Sequence, residues 1–232
     1  MDITQESKVF CISFQRTGTK SVGEFLNKHG FKTATWKTNR KNCWSEAWLL
    51  GDFEKIFSAP DFIHHNAFED DPWWCLDFYK YLYHRFPNSK FICLHRDPNT
   101  WFDSMIRHSA GTTLGNTYLH CKLYNRIEEF HKLPIDENTK KESIHGSKLD
   151  RLMYIHESHR SFYTQIYNTR HREILDFFST NDRNRLAFLK LEDSEKWNKL
   201  GHFLNVNVDL NFDSHLHDHK MTRAFKEKIA SK

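Results

Sequence analysis

The stretch QRTGTKS at residues 15–21 decides the fold of this chain, because it follows the apolar run VFCISF at residues 9–14 and precedes a helical pattern. This order is typical of a buried strand, an anion-binding loop and a helix that the loop opens. A helix N-terminus offers unpaired backbone N–H groups and the positive end of the helix dipole. Gly18 lets the backbone approach a ligand closely. Hydroxyl side chains add donors at Thr17, Thr19 and Ser21. The stretch therefore predicts a site for phosphate or a group of similar shape.

Strand and helix patterns alternate along the rest of the chain. Apolar runs predict further strands at 61–65, 90–94 and 186–189. Helical spacing predicts helices at 22–29, 44–57, 72–86, 149–178 and 197–204, and one that begins at Pro98. Repeated strand–helix units predict one α/β domain, residues 1–232, with a central parallel sheet. Ligands of such sheets bind at the carboxyl ends of the strands, so the loops at 15–21, 64–72 and 95–104 should share one edge.

Two polar segments stand apart from this alternation. Residues 111–147 carry repeated turn signals, and we expect them to form a lid or substrate-binding insertion. The tail carries His215, His217 and His219 at a spacing of two. An exposed polar tail is the favoured interpretation, and a metal site is the alternative.

Composition excludes several classes of protein. With 38% hydrophobic and 28% charged residues among 232, the chain has the make-up of a soluble globular domain. A net charge of +4 suits an anionic ligand and does not call for nucleic acid. No apolar stretch approaches the ~20 residues of a membrane span, and the polar first residues do not form a signal peptide. Five cysteines without C-x-x-C spacing predict free thiols. We expect a cytoplasmic monomer or homodimer with no membrane or nucleic-acid partner.

The first loop departs from the phosphate-binding loop of nucleoside triphosphatases. That pattern requires Gly, four residues and then Gly-Lys-Ser/Thr. Here Ser13 stands where the first Gly belongs, and Thr19 separates Gly18 from Lys20. None of the predicted strands is clearly followed by an Asp of the kind that holds magnesium in those enzymes. The loop therefore indicates an anion other than a nucleoside triphosphate, and a tight turn with surface charges is the alternative.

A second cation lies just past the strand predicted at 90–94. Arg96 can grip a phosphate with its planar guanidinium group. Ser104 follows eight residues later on the helix that Pro98 opens, where its hydroxyl group can face the same anion. The alternative is that Arg96 only pairs with Asp97 or Asp103.

Together these stretches resemble a known family. RTGTKS at 16–21, FPNSKFI at 86–92 and RDPNTWFDS at 96–104 resemble the sulfotransferases that use 3′-phosphoadenosine 5′-phosphosulfate (PAPS), in particular their compact, mostly cytosolic branch. WNKLGHFL at 197–204 is similar to a later segment of that branch. The resemblance covers most of the chain but not 111–147. It implies a three-layer fold like that of P-loop NTPases, with a central parallel β-sheet flanked by helices.

The resemblance also implies roles for individual residues. The 5′-phosphosulfate would be held by Arg16, Thr17, Gly18, Thr19, Lys20 and Ser21. Arg96 and Ser104 would hold the 3′-phosphate, the group that distinguishes this donor from ATP. Arg16 and Lys20 would also act in catalysis by stabilising charge on the leaving group, with no metal required. The by-product would be adenosine 3′,5′-bisphosphate.

The base that deprotonates the acceptor has two candidates in the third loop. The branch places an Asp two residues before a Pro, which corresponds to Asp70, whereas other cytosolic sulfotransferases use a His near the end of the same strand, here His64 or His65. Both a carboxylate and a neutral imidazole can take the proton. The structural alternative for Asp70 is a helix N-cap before Pro72.

The acceptor itself is expected to be a small molecule with a hydroxyl or amine group. Nearby aromatic residues either line its pocket or, as the favoured interpretation, fill the core: Trp36, Trp44, Phe68, Trp73 and Trp74. A P-loop kinase or other ATP- or GTP-dependent phosphotransferase is the main alternative function. A nucleotide-binding relative without catalytic activity is the other.

Overall fold

A five-stranded, all-parallel sheet organises the chain in a computed structural model that describes residues 7–108, 118–142, 153–209 and Phe212. The strands are β1 (Val9–Cys11), β2 (Thr33–Ala34), β3 (Ala67–Phe68), β4 (Lys90–His95) and β5 (Leu186–Lys190). Their order is β2-β3-β1-β4-β5. From β1 the chain crosses to the edge strand β2 and returns to β3 on one side, and then crosses to β4 and β5 on the other side. The loop after β1 therefore lies at a switch point, where a crevice opens. The predicted fold class, α/β with a central parallel sheet flanked by helices, is confirmed.

Helices connect and cover the strands. Those in the described residues are α1 (Thr19–Lys28), α2 (Trp36–Asn42), α3 (Trp44–Leu50), α4 (Phe53–Phe57), α5 (Pro60–His64), α6 (Phe78–Arg85), α7 (Pro98–Arg107), α8 (Tyr118–Leu123), α9 (Ile127–His131), α10 (Glu137–Glu142), α11 (Arg160–Thr180) and α12 (Lys196–Leu204). None of these helices is long and apolar enough to cross a membrane.

The sheet separates two hydrophobic cores. Side chains alternate along β1, so Val9 and Cys11 face the core beneath α1 and α12, whereas Phe10 faces the larger core. The larger core is mostly aromatic and is covered by α3, α6, α7 and α11. Phe212 closes the smaller core, with its ring 5.3 Å from Phe25 and 5.2 Å from Trp197. Helices on both faces of the sheet give three layers.

The strand predicted at 61–65 is wrong. Pro60 opens helix α5 there, because its fixed φ suits the first helical position. The strand comes later, at Ala67–Phe68. With two residues, neither β3 nor β2 is long enough to show the alternation that identifies a strand, and β2 was not predicted at all.

Helix boundaries match the prediction in part. The helix expected at 44–57 is interrupted at Gly51, which has a left-handed conformation. The helix expected at 72–86 begins only at Phe78. The helix expected at 149–178 begins at Arg160, after a short 3₁₀ turn.

The predicted insertion falls partly on described residues. Residues 118–142 form α8, α9 and α10, and Cys121, Phe130 and Met153 make a small separate core there. Residues 109–117 and 143–152 lie outside the described residues, as does the His-rich tail. A lid role for 111–147 therefore stays a prediction.

Candidate active site

Register places two predicted loops on one edge of the sheet. Phe10 pairs with Phe68 on one side, and Cys11 pairs with Ile92 on the other. All strands run parallel, so the residues that follow β1, β3 and β4 emerge at the same carboxyl edge. The loop at 15–21 and the loop at 95–104 therefore meet there, as predicted.

The loop at 15–21 adopts a conformation that depends on glycine. Gly18 has φ +87°, in the left-handed region, and immediately precedes α1. A Cβ atom added at this position would lie 2.8 Å from Leu191 Cδ1. The first turn of α1 contains no acidic residue and its N-cap has no side-chain hydrogen bond. The N-terminus of α1 thus keeps the dipole and donor groups that attract an anion.

Thr17 supports the loop from within. Its side chain is fully buried, and its hydroxyl group donates to the carbonyl oxygen of Phe14. The hydroxyl group predicted as a ligand donor is thus engaged inside the protein, unlike the exposed Lys20 that follows.

Ser13, the residue in place of the first P-loop glycine, joins β1 to β4. Its Oγ accepts a hydrogen bond of 2.7 Å from the N–H group of Leu94. The Cys11 thiol also donates to this oxygen, at 3.3 Å. Ser13 is fully buried in these contacts, so its hydroxyl group is engaged in joining the two strands.

Arg16 connects the first loop to the second. Its Nε donates a hydrogen bond of 3.2 Å to Ser104 Oγ. Burial and the nearby charges of Arg96 and Arg107 lower the pKa of the Arg16 guanidinium. Three guanidinium groups therefore converge on the helix α7 side of the loop. Such a cluster fits an anionic ligand with more than one phosphate-like group.

A hydrogen bond from its backbone holds Arg96 in place. Its N–H group donates to the Tyr167 hydroxyl oxygen at 3.0 Å. Its Nε lies 3.4 Å from Glu192 Oε1, beyond β5, but makes no hydrogen bond within the described residues. The guanidinium is thus oriented at the sheet edge with donor capacity left for a ligand.

The alternative pairing of Arg96 with Asp97 or Asp103 is wrong. Asp97 caps helix α7 by accepting a hydrogen bond of 2.9 Å from the N–H group of Thr100. Asp103 pairs with Arg160 at 2.6 Å. Both carboxylates have other roles, so the ion-pair partner of Arg96 is Glu192.

Three consecutive carboxyl groups follow β3. Asp70 has φ +71°, and its Oδ1 accepts a hydrogen bond of 3.0 Å from the N–H group of Asp71. Burial raises the pKa of Asp70 above its usual value, opposed by the Asp71 hydrogen bond and the charge of Lys20. Burial and then the charge of Asp70 raise the pKa of Glu69 to about 8. Neither Asp70 nor Asp71 caps a helix, because α6 begins only at Phe78.

Glu69 links these carboxyl groups to α1. Its side chain is 2% exposed, and a Cβ atom added at Gly23 would lie 3.0 Å from its Cγ. Glu69 thus packs directly against α1, the helix that begins with the anion-binding loop. The charge of Lys20, on the first turn of this helix, lowers the pKa of Glu69 and of Asp70. The charges of the acidic residues after β3 and of the loop at 15–21 therefore act on each other directly.

Comparison with known protein families identifies the family of this chain. A family model described as a sulfotransferase domain matches residues 8–215. The chain belongs to the sulfotransferase family. Among solved structures, a sulfotransferase from Alicyclobacillus acidocaldarius is similar, with a TM-score of 0.46 and 13% identity over 97% of this chain and 90% of that one. Comparison with curated protein sequences gives no match.

The structure does not bring His64 or His65 to the candidate site. Both precede β3, at the amino edge of the sheet, because the strand lies later than predicted. The His65 ring contacts the carbonyl oxygen of Asp61, and the buried Lys8 ammonium donates to the His65 carbonyl oxygen at 3.1 Å. His65 is therefore corrected from a candidate base to a residue of the opposite edge.

Most of the aromatic residues near the acidic group belong to the core. Trp44, Phe68 and Trp73 are fully buried and Trp74 is 2% exposed, as the favoured interpretation predicted. Trp36 is different, with 38% of its surface exposed.

Sequence reasoning missed three residues of the site. Arg107 lies three positions after Ser104, a spacing that places both on one side of α7. Glu192 follows β5, and its position just past a predicted strand was the available signal. Tyr167 offered none, because its contact with Arg96 depends on how α11 packs against the sheet.

Proposed function

We propose that this sulfotransferase moves the sulfuryl group of PAPS to a hydroxyl or amine group of a small-molecule acceptor. One observation carries the proposal: the order of groups along the carboxyl edge of the sheet. Asp70 follows β3, the anion-binding loop follows β1, and Arg96 follows β4. A base, a site for a transferable group and a second phosphate site thus lie in a row.

The arginine cluster supports a donor with two separate anionic groups. The N-terminus of α1 and Lys20 suit the phosphosulfate, while Arg96 and Ser104 suit the 3′-phosphate. Burial and then repulsion from Arg96 lower the pKa of Arg16, and an anion between the two guanidinium groups would relieve that repulsion. ATP has no 3′-phosphate to occupy this second site.

Asp70 is the residue that we assign as general base. Its carboxylate takes the proton from the acceptor as the new bond to sulfur forms, a role worth about 10²–10⁴-fold in rate. The raised pKa makes this carboxylate a stronger base than an exposed aspartate. The charge of Lys20 opposes this rise of the pKa and so favours the ionised form of Asp70.

The loop residues act on the other end of the transferred group. The bound donor supplies an activated sulfuryl group for transfer. Arg16, Lys20 and the N–H groups at the start of α1 stabilise negative charge on the leaving phosphate. The expected products are a sulfate ester or sulfamate and adenosine 3′,5′-bisphosphate.

Ligand-induced stabilisation tests the proposal. At 100 times its Kd, adenosine 3′,5′-bisphosphate should stabilise the fold by ~2.7 kcal/mol without magnesium, a Tm increase of about 5–10 °C. Adenosine 5′-monophosphate should have a weaker effect in the native protein. The preference for the bisphosphate should vanish in Arg96→Ala and persist in Arg172→Ala, an exposed arginine on α11. A larger effect of ATP with magnesium would overturn the proposal in favour of a phosphotransferase.

A cytoplasmic location and a monomeric or homodimeric state stay predictions.

A further inference from the structure

We propose that Trp36 and Arg40 form the acceptor-recognition surface, and that the acceptor is an anionic ring compound. The class comprises aromatic or sugar rings that carry a carboxylate, sulfate or phosphate group as well as the reacting hydroxyl or amine. This inference rests on the proposed function and names the substrate class of the same site.

Register places Trp36 beside the proposed base. In the parallel pair β2–β3, Ala34 lies opposite Phe68. Both strands end at this pair, and two residues later Trp36 begins α2 while Asp70 lies in the loop after β3. The backbone N–H group of Trp36 also donates to the Glu69 carboxyl group, which ties the start of α2 to the acidic residues.

Trp36 lies on the side of the base that faces away from the donor. The order β2-β3-β1-β4-β5 puts Trp36 at one flank of Asp70 and the anion-binding loop at the other. In-line transfer requires the acceptor and the leaving group on opposite sides of the sulfur atom. The β2 flank is therefore the side from which an acceptor reaches Asp70.

Exposure distinguishes Trp36 from the other tryptophans of this chain. All seven lie in described residues, and the other six are at most 8% exposed. An exposed indole ring leaves a large apolar surface in water. At the mouth of a site, this ring offers a platform on which an aromatic ring or the apolar face of a sugar can stack.

The charges of α2 give this platform its preference. The Arg40 guanidinium carbon lies 5.7 Å from the centre of the Trp36 ring, one helical turn along. Within the described residues neither Arg40 nor Lys37 forms an ion pair, whereas the neighbouring Lys41 pairs with Asp61 at 2.9 Å. Arg40 therefore has donors for an anionic group on a ring stacked against Trp36. The carboxyl groups after β3 would meanwhile face the reacting hydroxyl or amine, away from that anion.

A panel of matched acceptors with labelled PAPS tests this inference. One pair is 4-hydroxyphenylacetate and the neutral 4-hydroxyphenylethanol; the other is methyl glucuronide and methyl glucoside. In at least one pair, the sulfuryl group should be transferred faster to the anionic member than to the neutral one. The pair that shows this preference tells whether the acceptor is an aromatic ring or a sugar. Arg40→Gln should raise KM for the anionic member by about tenfold, the loss of one charge-assisted contact, and leave kcat and the neutral member unchanged. Arg40→Lys should recover part of the loss.

Controls separate recognition from folding and from the donor site. Lys41→Gln removes a charge from the same helix and should leave both KM values unchanged. Trp36→Ala should raise KM for both members while the Tm shift caused by adenosine 3′,5′-bisphosphate is preserved. Equal effects of Arg40→Gln on charged and neutral acceptors would overturn the inference, as would a preference for neutral acceptors or no transfer to any anionic ring. If adenosine 3′,5′-bisphosphate itself fails to bind, it is the proposed function that fails.

Discussion

Arg16 Nε donates a hydrogen bond of 3.2 Å to Ser104 Oγ, although the two residues lie 88 positions apart in the chain. Ser104 is 5% exposed, on the buried face of α7. This bond fixes the guanidinium of the first loop relative to the helix that follows Arg96. The hydrogen bond therefore fixes the two proposed phosphate sites relative to each other.

Ser104→Ala tests this coupling. The variant should bind adenosine 3′,5′-bisphosphate about tenfold more weakly, because a charge-assisted hydrogen bond worth about 1.5 kcal/mol is lost and Arg16 is no longer oriented. Isothermal titration calorimetry measures the affinity. Ser58→Ala is the control, since that exposed hydroxyl group only contacts the carbonyl oxygen of Glu54 in its own helix. Unchanged affinity in Ser104→Ala would remove Ser104 from the site.

Asp70→Asn separates catalysis from donor binding. We expect kcat to fall about 10²–10⁴-fold while the affinity for adenosine 3′,5′-bisphosphate stays within about twofold. In the native protein the rate should rise with pH through the raised pKa of Asp70, because the base acts in its ionised form. Asp77→Asn, at an exposed carboxylate before α6, is the matched control. A non-catalytic relative would show no acceptor-dependent turnover in any of these variants.

Gly18→Ala tests the conformation of the first loop. Gly18 and Gly30 have nearly the same φ, +87° and +88°, but a Cβ atom at Gly30 would have no neighbour within 4 Å. Gly30→Ala should therefore cost about 1–2 kcal/mol from backbone strain alone. Gly18→Ala adds the contact with Leu191 Cδ1 and should cost more in urea unfolding. Leu191→Ala in the same chain should recover the difference; equal costs for the two glycine variants would contradict the contact.

Acid sensitivity should arise from His171. Its Nδ1 lies 2.8 Å from the Tyr167 carbonyl oxygen, and its Nε2 is buried without a hydrogen bond in the described part of the chain. Burial lowers the pKa of His171 to about 4. The unfolded chain takes up this proton near pH 6.5 and the folded protein does not, so stability should fall as pH falls from 6.5 to 4.

His171→Phe isolates that contribution. Between pH 6.5 and 4 the free energy of unfolding of the native protein should decline by about 1.4 kcal/mol per pH unit more than that of the variant. Chemical unfolding at a series of pH values gives the difference. His84→Phe, at an exposed position on α6, should leave the slope as it is. Parallel pH profiles for the native protein and His171→Phe would show that the buried imidazole does not titrate in this way.

The sequence predicted an element correctly where the residues that determine its backbone conformation lie within that element. Gly18 before a helical pattern and Pro98 after an apolar run predicted both ligand loops, because their backbone preferences act within a few residues. The two-residue strands β2 and β3 have no such signal, since neighbouring strands rather than their own pattern make them strands. That gap led to the assignment of His65 to the wrong edge. The sequence could place Arg96 and Glu192 after predicted strands, but their contact depends on the order of the strands in the sheet, which no local pattern gives.

The crowded guanidinium groups of Arg16, Arg96 and Arg107 have a consequence for the life of the protein in a cell. The charges of Arg96 and Arg107 repel that of Arg16, an effect second to burial in lowering the pKa of Arg16, so an anion bound between these groups should stabilise the folded chain. A protein stabilised by its ligand is degraded more slowly when that ligand is abundant. If the proposed anionic donor binds there, turnover of this protein should follow the supply of that donor.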